Sequence, residues 1–140
     1  MKKIVNSLLV LFLAINAIAC NNTQSNNNLS SAPDSLDTKT VEVYYFHGTR
    51  RCATCKAVGN VTKELIESKF AENQNVKFIE INFDEEGNEE IVEKFQVTGS
   101  GLYVYNGKDI ENLTAMAFQY ARTNPKKLKA KLTKIIEANQ

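Results

Sequence analysis

Val41-Glu42-Val43-Tyr44-Tyr45-Phe46-His47-Gly48-Thr49-Arg50-Arg51-Cys52-Ala53-Thr54-Cys55 is the stretch on which the reading of this chain turns. Its first six residues are mostly β-branched and aromatic, the composition of a buried strand. Six residues past Phe46, Cys52 opens a segment whose apolar residues recur at helical spacing. Two thiols at i and i+3 on the first turn of a helix can face each other and close a small disulfide. The N-terminus of that helix stabilises a thiolate on the first of them. The stretch therefore reads as strand, loop and helix with a dithiol at the junction, and it points to thiol–disulfide chemistry. The plainer alternative is a structural disulfide or an idle dithiol.

Working outward toward the C-terminus, strand and helix signals alternate. The helix runs from Cys52 or Ala53 to Phe70, with Val58, Val61 and Leu65 along one stripe. Val76 to Phe83 is a second strand. Asp84 to Asn88 turns the chain into a short helix, Glu89 to Phe95, that carries Ile91, Val92 and Phe95. Leu102 to Tyr105 is a third strand. Asn106-Gly107 is a type I′ hairpin signal, and Asp109 to Leu113 is the returning edge strand. Thr114 to Ala121 gives a weaker helical pattern. Thr123-Asn124-Pro125 caps and starts a last helix with Leu128, Leu132, Ile135 and Ile136 on its inner face. The expected order is β-α-β-α-β-β-α. Two strands joined through a long helix lie parallel, and the last two form a hairpin. The fold class is α/β: a four-stranded mixed sheet with helices on both faces.

Toward the N-terminus the character changes. Met1-Lys2-Lys3 is a short positive segment, and Ile4 to Ala19 is apolar but broken by Asn6, Ser7 and Asn16. That length and those interruptions suit a signal peptide over 1–19 better than a membrane span. Ala17-Ile18-Ala19-Cys20 looks like a bacterial lipobox, with Ala17 where Leu is usual, so Cys20 is the expected lipidation site. An ordinary signal peptide with an incidental Cys20 is the alternative. Residues 21–39 are rich in Asn, Ser and Thr and nearly free of large apolar side chains, so they cannot bury enough surface to fold. They read as a tether whose random-coil reach is roughly 25 Å. The expected division is a leader over 1–19, a lipidated Cys20 with a tether over 20–39, and a domain over 40–140.

The chain has 140 residues, is 43% hydrophobic and carries a net charge of +1, which allows one modest domain. Removing Lys2 and Lys3 from the 17 basic residues leaves 15 against 16 acids, near −1. That balance speaks against a nucleic-acid binder. Glu80 to Glu93 is locally acidic and Lys126 to Lys134 locally basic, and both runs read as solvated faces.

From about residue 40 to the end, the chain resembles the thioredoxin-like superfamily. The resemblance rests on the strand leading into Cys52-Ala53-Thr54-Cys55, on that motif at a helix start, and on the β-β-α ending. Phe46-His47-Gly48-Thr49-Arg50-Arg51-Cys52-Ala53-Thr54-Cys55 is similar more narrowly to the nitrophenyl compound nitroreductase subunit ArsF family of small bacterial thioredoxin-like (lipo)proteins. Members of that group are found with membrane electron transporters of the DsbD type. The resemblance implies a bacterial envelope protein, lipid-anchored and facing the periplasm, monomeric and without a cofactor. It would exchange electrons with a protein thiol or disulfide partner. Two positions depart from the thioredoxin pattern. Gly101, in Val97-Thr98-Gly99-Ser100-Gly101-Leu102, stands where a cis-proline is usual. A cis bond without proline costs about 2.5–4 kcal/mol, so this loop is expected to be trans, with glycine allowing unusual backbone angles or close approach. The first strand also offers no buried carboxylate beneath the motif, and His47 is the group available there.

The candidate chemistry follows. Cys52 is the nucleophile and Cys55 the resolving thiol. Arg50, Arg51 and Lys56, with the helix N-terminus, are placed to lower the Cys52 pKa. Thr54, Ser100 and Gly101 shape a substrate-docking loop. Tyr103, Tyr105 and Tyr120 read as packing residues. His47 is a proton relay, a polar loop residue without a role, or a third ligand beside the two thiolates. That last option carries the alternative function, a non-enzymatic module binding Cu(I) or trivalent arsenic through Cys52, Cys55 and His47. Two Cys and one His fall short of a closed zinc site.

Overall fold

The computed structural model describes residues 40–140. The leader, Cys20 and the tether expected before them lie outside the described residues. The elements in chain order are β1 (Val41–His47), α1 (Ala53–Lys69), β2 (Val76–Asn82), α2 (Glu89–Lys94), β3 (Gly101–Tyr105), β4 (Ile110–Asn112), α3 (Thr114–Tyr120) and α4 (Pro125–Ala138). The four strands form one sheet in the order β2-β1-β3-β4. β1 runs parallel to β2 and antiparallel to β3, and β3 and β4 make an antiparallel hairpin. This is the four-stranded mixed sheet expected from the sequence, with α3 added between β4 and α4.

β1 is buried along nearly its whole length because it is central and covered on both faces. Val41, Val43 and Tyr45 face one layer, built with Val58, Leu65 and Ile66 of α1, Ala117 of α3, and Leu128, Leu132 and Ile136 of α4. Tyr44 and Phe46 face the other layer, where Phe95 and Tyr103 complete an aromatic cluster and Ile91 and Val92 of α2 pack against it. Phe46 and Phe95 each meet the Tyr103 ring edge-on, with centroids 5.5 and 5.7 Å apart. Helices therefore lie on both faces, three on one and α2 on the other.

α4 is specified most directly. The Asn124 side chain accepts the Lys127 N–H at 3.0 Å, Pro125 takes the first turn, and Leu128, Leu132 and Ile136 are fully buried at i, i+4, i+8. Burying each is worth about 1.5–3 kcal/mol. The α1 stripe is turned slightly from expectation. Val58, Thr62, Leu65 and Ile66 are buried, and Val61 is only partly so.

The β3–β4 hairpin closes differently from the expected type I′ turn. Such a turn needs positive φ at both Asn106 and Gly107, and only Gly107 has it, at 89°. The Asn106 side chain instead accepts the N–H groups of Lys108 and Asp109, at 3.0 and 2.7 Å. A side chain that caps the loop in this way holds Asn106 in an ordinary conformation.

Candidate functional site

The carboxyl end of β1 delivers the site. Beyond His47 the loop is tied to the end of β2: the Phe83 N–H donates to the His47 carbonyl at 2.9 Å, and the Thr49 N–H donates to the Asp84 carboxylate at 2.8 Å. The loop then enters α1 through Cys52, which is the N-cap. Cys52 has extended backbone (φ −69°, ψ 167°), and its Sγ accepts the Cys55 N–H at 3.2 Å. A thiolate there meets one of the helix's free N–H donors and the positive end of its dipole. No acid stands in the first turn to oppose it.

Cys52 is exposed, Cys55 is half-buried, and both are free thiols with their sulfurs 2.6 Å apart. The Cys52 thiol is held below its ordinary value of 9.0. The hydrogen bond from the Cys55 thiol is the main cause, followed by the Cys55 N–H; the N–H groups of Thr54 and Cys52 add less. Arg51 pairs with the Glu80 carboxylate. Arg50 and Lys56 are exposed and form no ion pair among the described residues.

Beneath the dithiol lies a polar group that sequence reasoning passed over. The Tyr45 hydroxyl donates to the Cys55 carbonyl at 2.6 Å. Its ring fits over α1 only because residue 59 is glycine, where a Cβ would stand 2.7 Å from the ring. Burial pushes the Tyr45 phenol up to about 12, with nearby Cys55 adding and Arg51 opposing. The His47 ring lies 5.4 Å from that of Tyr45 and is buried. Its Nδ1 is 2.9 Å from the Gly48 carbonyl and its Nε2 is 3.2 Å from Glu80. A ring carrying both protons donates to both oxygens, and a neutral ring to one.

Glu80, on the neighbouring strand, is the carboxylate that His47 and Arg51 meet, but at 38% exposed it is not the buried acid absent from β1. The signal was present. On the α1 face, β2 presents Val76, Phe78, Glu80 and Asn82, in register with Val41, Val43, Tyr45 and His47. Both strands turn from apolar to polar toward the site. The acidic run read from Glu80 onward merged this residue with an unrelated turn and helix.

The remaining candidates are placed as follows. Thr54 is half-buried on the first turn of α1, between the two cysteines in sequence. Gly101 begins β3 opposite Phe46, at the same end of the sheet as His47, with half-buried Ser100 before it. Its peptide bonds are trans, and its φ is not in the left-handed region. Glycine serves there through room alone: a Cβ would lie 2.7 Å from both Thr114 Oγ1 and the Tyr103 ring. Tyr103 and Tyr105 pack in or against the aromatic cluster, and Tyr120 packs against the other core. Cys52, Cys55 and His47 are not assembled as a ligand set. Among the described residues, no group of three or more His, Cys, Asp or Glu could hold a metal ion, and both His47 nitrogens face protein oxygens.

No family model and no curated protein matches the chain. Among solved structures, mitochondrial thioredoxin 3 from Saccharomyces cerevisiae, in its oxidised form, is 20% identical with a TM-score of 0.46; the match covers 73% of this chain and 81% of that one. A structure described as that of a malarial protein is 18% identical with a TM-score of 0.41, covering 57% of this chain and 93% of that one. These are distant likenesses of overall shape, and the reading of the site rests on its own geometry.

That geometry suits two-electron exchange. An exposed thiolate at Cys52 can attack a disulfide sulfur, forming a mixed disulfide and releasing one thiolate. The adjacent Cys55 can then attack Cys52 Sγ, releasing the second and leaving Cys52–Cys55 oxidised. Two electrons pass to the acceptor, and the two thiol protons end on its thiols.

Proposed function

We propose that this chain is a membrane-tethered thiol–disulfide oxidoreductase of the bacterial cell envelope. The observation that carries the reading is Cys52: an exposed thiol at a helix N-cap, its pKa lowered, within bonding reach of Cys55. Cys52 is the nucleophile and Cys55 the resolving thiol. The lipobox-like Ala17-Ile18-Ala19-Cys20 and the polar segment after it support a lipid anchor at Cys20, in a protein facing the periplasm. A tether raises the effective concentration of any partner in the same membrane. With the resemblance to the nitrophenyl compound nitroreductase subunit ArsF family, this favours a dedicated protein partner such as a DsbD-type electron transporter. The chain acts as a monomer in this reading and uses no cofactor.

The test is trapping in the native envelope. With Cys55→Ser, a covalent adduct should accumulate through Cys52, be released by reductant, and identify the partner. His47→Ala should alter its rate of formation only. Purified protein with both cysteines intact should also equilibrate with glutathione. No measurable Cys52–Cys55 redox equilibrium would overturn the proposal.

A further inference from the structure

Phe83 ends the link between the dithiol loop and β2, and it opens onto a groove on the α2 side of the sheet. The groove has a volume of about 440 Å³ and is lined by half-buried Phe83, Val92 and Val97 and by exposed Glu89, Glu93 and Gln96. It adjoins the loop that carries the cysteines: a Cβ on Gly48 would stand 3.1 Å from the Phe83 ring. Its other wall runs into Thr98 and the segment leading to Ser100 and Gly101. Gln96, at the bend between α2 and that segment, holds φ at 50°, in the left-handed region. The Val97 N–H is bonded to the Val92 carbonyl at 3.0 Å, which folds Val97 back onto the helix. A non-glycine residue kept in that conformation marks a place the surrounding structure over-determines.

The charge around the groove is one-sided. Glu89 and Glu93 line it, Asp84, Glu85, Glu86 and Glu90 lie in the same turn and helix, and none of the six forms an ion pair among the described residues. The nearest cation in sequence, Lys94, lies over the Tyr105 ring at 4.1 Å, outside the groove lining. Half-buried apolar lining beside the exposed, unpaired carboxylates of Glu89 and Glu93 complements an apolar side chain flanked by positive charge.

Building on the oxidoreductase reading, we infer that this groove docks a partner segment that carries an apolar side chain among lysines or arginines, near the disulfide it presents to Cys52. The groove sets which disulfide is brought to the dithiol, and the dithiol performs the exchange. Attraction to these carboxylates speeds encounter and weakens with salt.

The experiment uses the reduced full chain and two synthetic peptides, each oxidised to its symmetric disulfide. One has alternating leucine and lysine before the cysteine, and the other alternating leucine and glutamate. An uncharged small disulfide, 2-hydroxyethyl disulfide, serves as reference. The lysine peptide should react about tenfold faster than the glutamate peptide at low salt, and the gap should close at high salt. Glu89→Lys with Glu93→Lys should remove or invert the preference while leaving the rate with the uncharged disulfide unchanged. Because Glu89 also accepts the Gly87 N–H at 2.9 Å, Glu93→Lys alone is measured as well and should shift the preference in the same direction. Reaction with all three disulfides, without charge preference or with one the substitutions leave intact, overturns the docking site and leaves the oxidoreductase reading standing. No reaction with any of them overturns both. A concentration-dependent dimer of the unsubstituted chain that Glu93→Lys dissolves overturns the inference in favour of a second copy seated through its basic α4.

Discussion

The Tyr45 hydroxyl donates to the Cys55 carbonyl at 2.6 Å, pinning the first turn of α1 to the strand beneath it. The resolving cysteine is thereby held from below, by a side chain whose ring needs the space left at Gly59. Tyr45→Phe keeps the ring and removes the bond. It should lower the unfolding free energy in urea by about 0.5–1.5 kcal/mol and shift the Cys52–Cys55 equilibrium with glutathione. Tyr44→Phe is the matched control: it deletes a hydroxyl bonded to Glu42 at 2.9 Å on the opposite face. It should leave the redox equilibrium where it was. Equal redox shifts in the two variants would show that the Tyr45 bond does not position Cys55.

The Cys52 pKa is lowered chiefly by the Cys55 thiol. Cys55→Ala removes that donor, so the pKa should rise toward the ordinary 9.0 while staying below it, because the Cys55 N–H remains. Thiolate absorbance or the rate of alkylation, followed against pH, reads this directly. Linkage gives the sign for stability. A thiol whose folded pKa is depressed stabilises the reduced fold fully above the unfolded value of 9.0 and loses that contribution as pH falls through the folded value. The unsubstituted reduced protein should therefore gain stability with pH over a window that narrows in Cys55→Ala. An unchanged titration midpoint would mean that the helix N-terminus alone governs Cys52.

What could be read from the sequence was whatever period and local chemistry encode. The 41–46 run, the Cys52 cap and the Leu128-Leu132-Ile136 stripe each lie within one element, and each is found where its pattern put it. α3 was too faint to enter the element order because only Ala117 is buried along it and Leu113 offers no side-chain cap. The carboxylate beside His47 was hidden for another reason. Glu80 reaches His47 and Arg51 across a strand pairing, and only the Tyr45↔Glu80 register reveals it. Gly101 was noticed through what it replaces, whereas its environment, Thr114 and Tyr103, comes from a helix and a layer that no local pattern connects to it.

Gly101→Ala tests that environment. Its Cβ would meet Thr114 Oγ1, which accepts the Leu102 N–H at 3.2 Å, and the edge of the Tyr103 ring. Neither neighbour can yield freely, since one caps the strand and the other is buried in the aromatic cluster. The expected loss is about 1–3 kcal/mol of unfolding free energy, the usual cost of overpacking. A neutral or stabilising effect would show that β3 can shift at its first residue. That would restore the possibility that this loop moves when a substrate docks.

Glu80→Gln separates structure from steering. The carboxylate pairs with His47 and Arg51 but is 38% exposed, so each pair is worth at most about 1 kcal/mol. Glutamine keeps the shape and one acceptor oxygen, and stability should change by less than about 1 kcal/mol in urea. Reactivity should change more. Freed from its carboxylate, Arg51 adds positive charge beside Cys52, and oxidised glutathione is an anionic disulfide. Its reduction by the reduced protein should quicken about two- to fivefold at low ionic strength, with the gain vanishing at high salt. An unchanged or slower rate, with stability intact, would show that the charge of Arg51 is not felt at the dithiol and that Glu80 serves only to hold the loop.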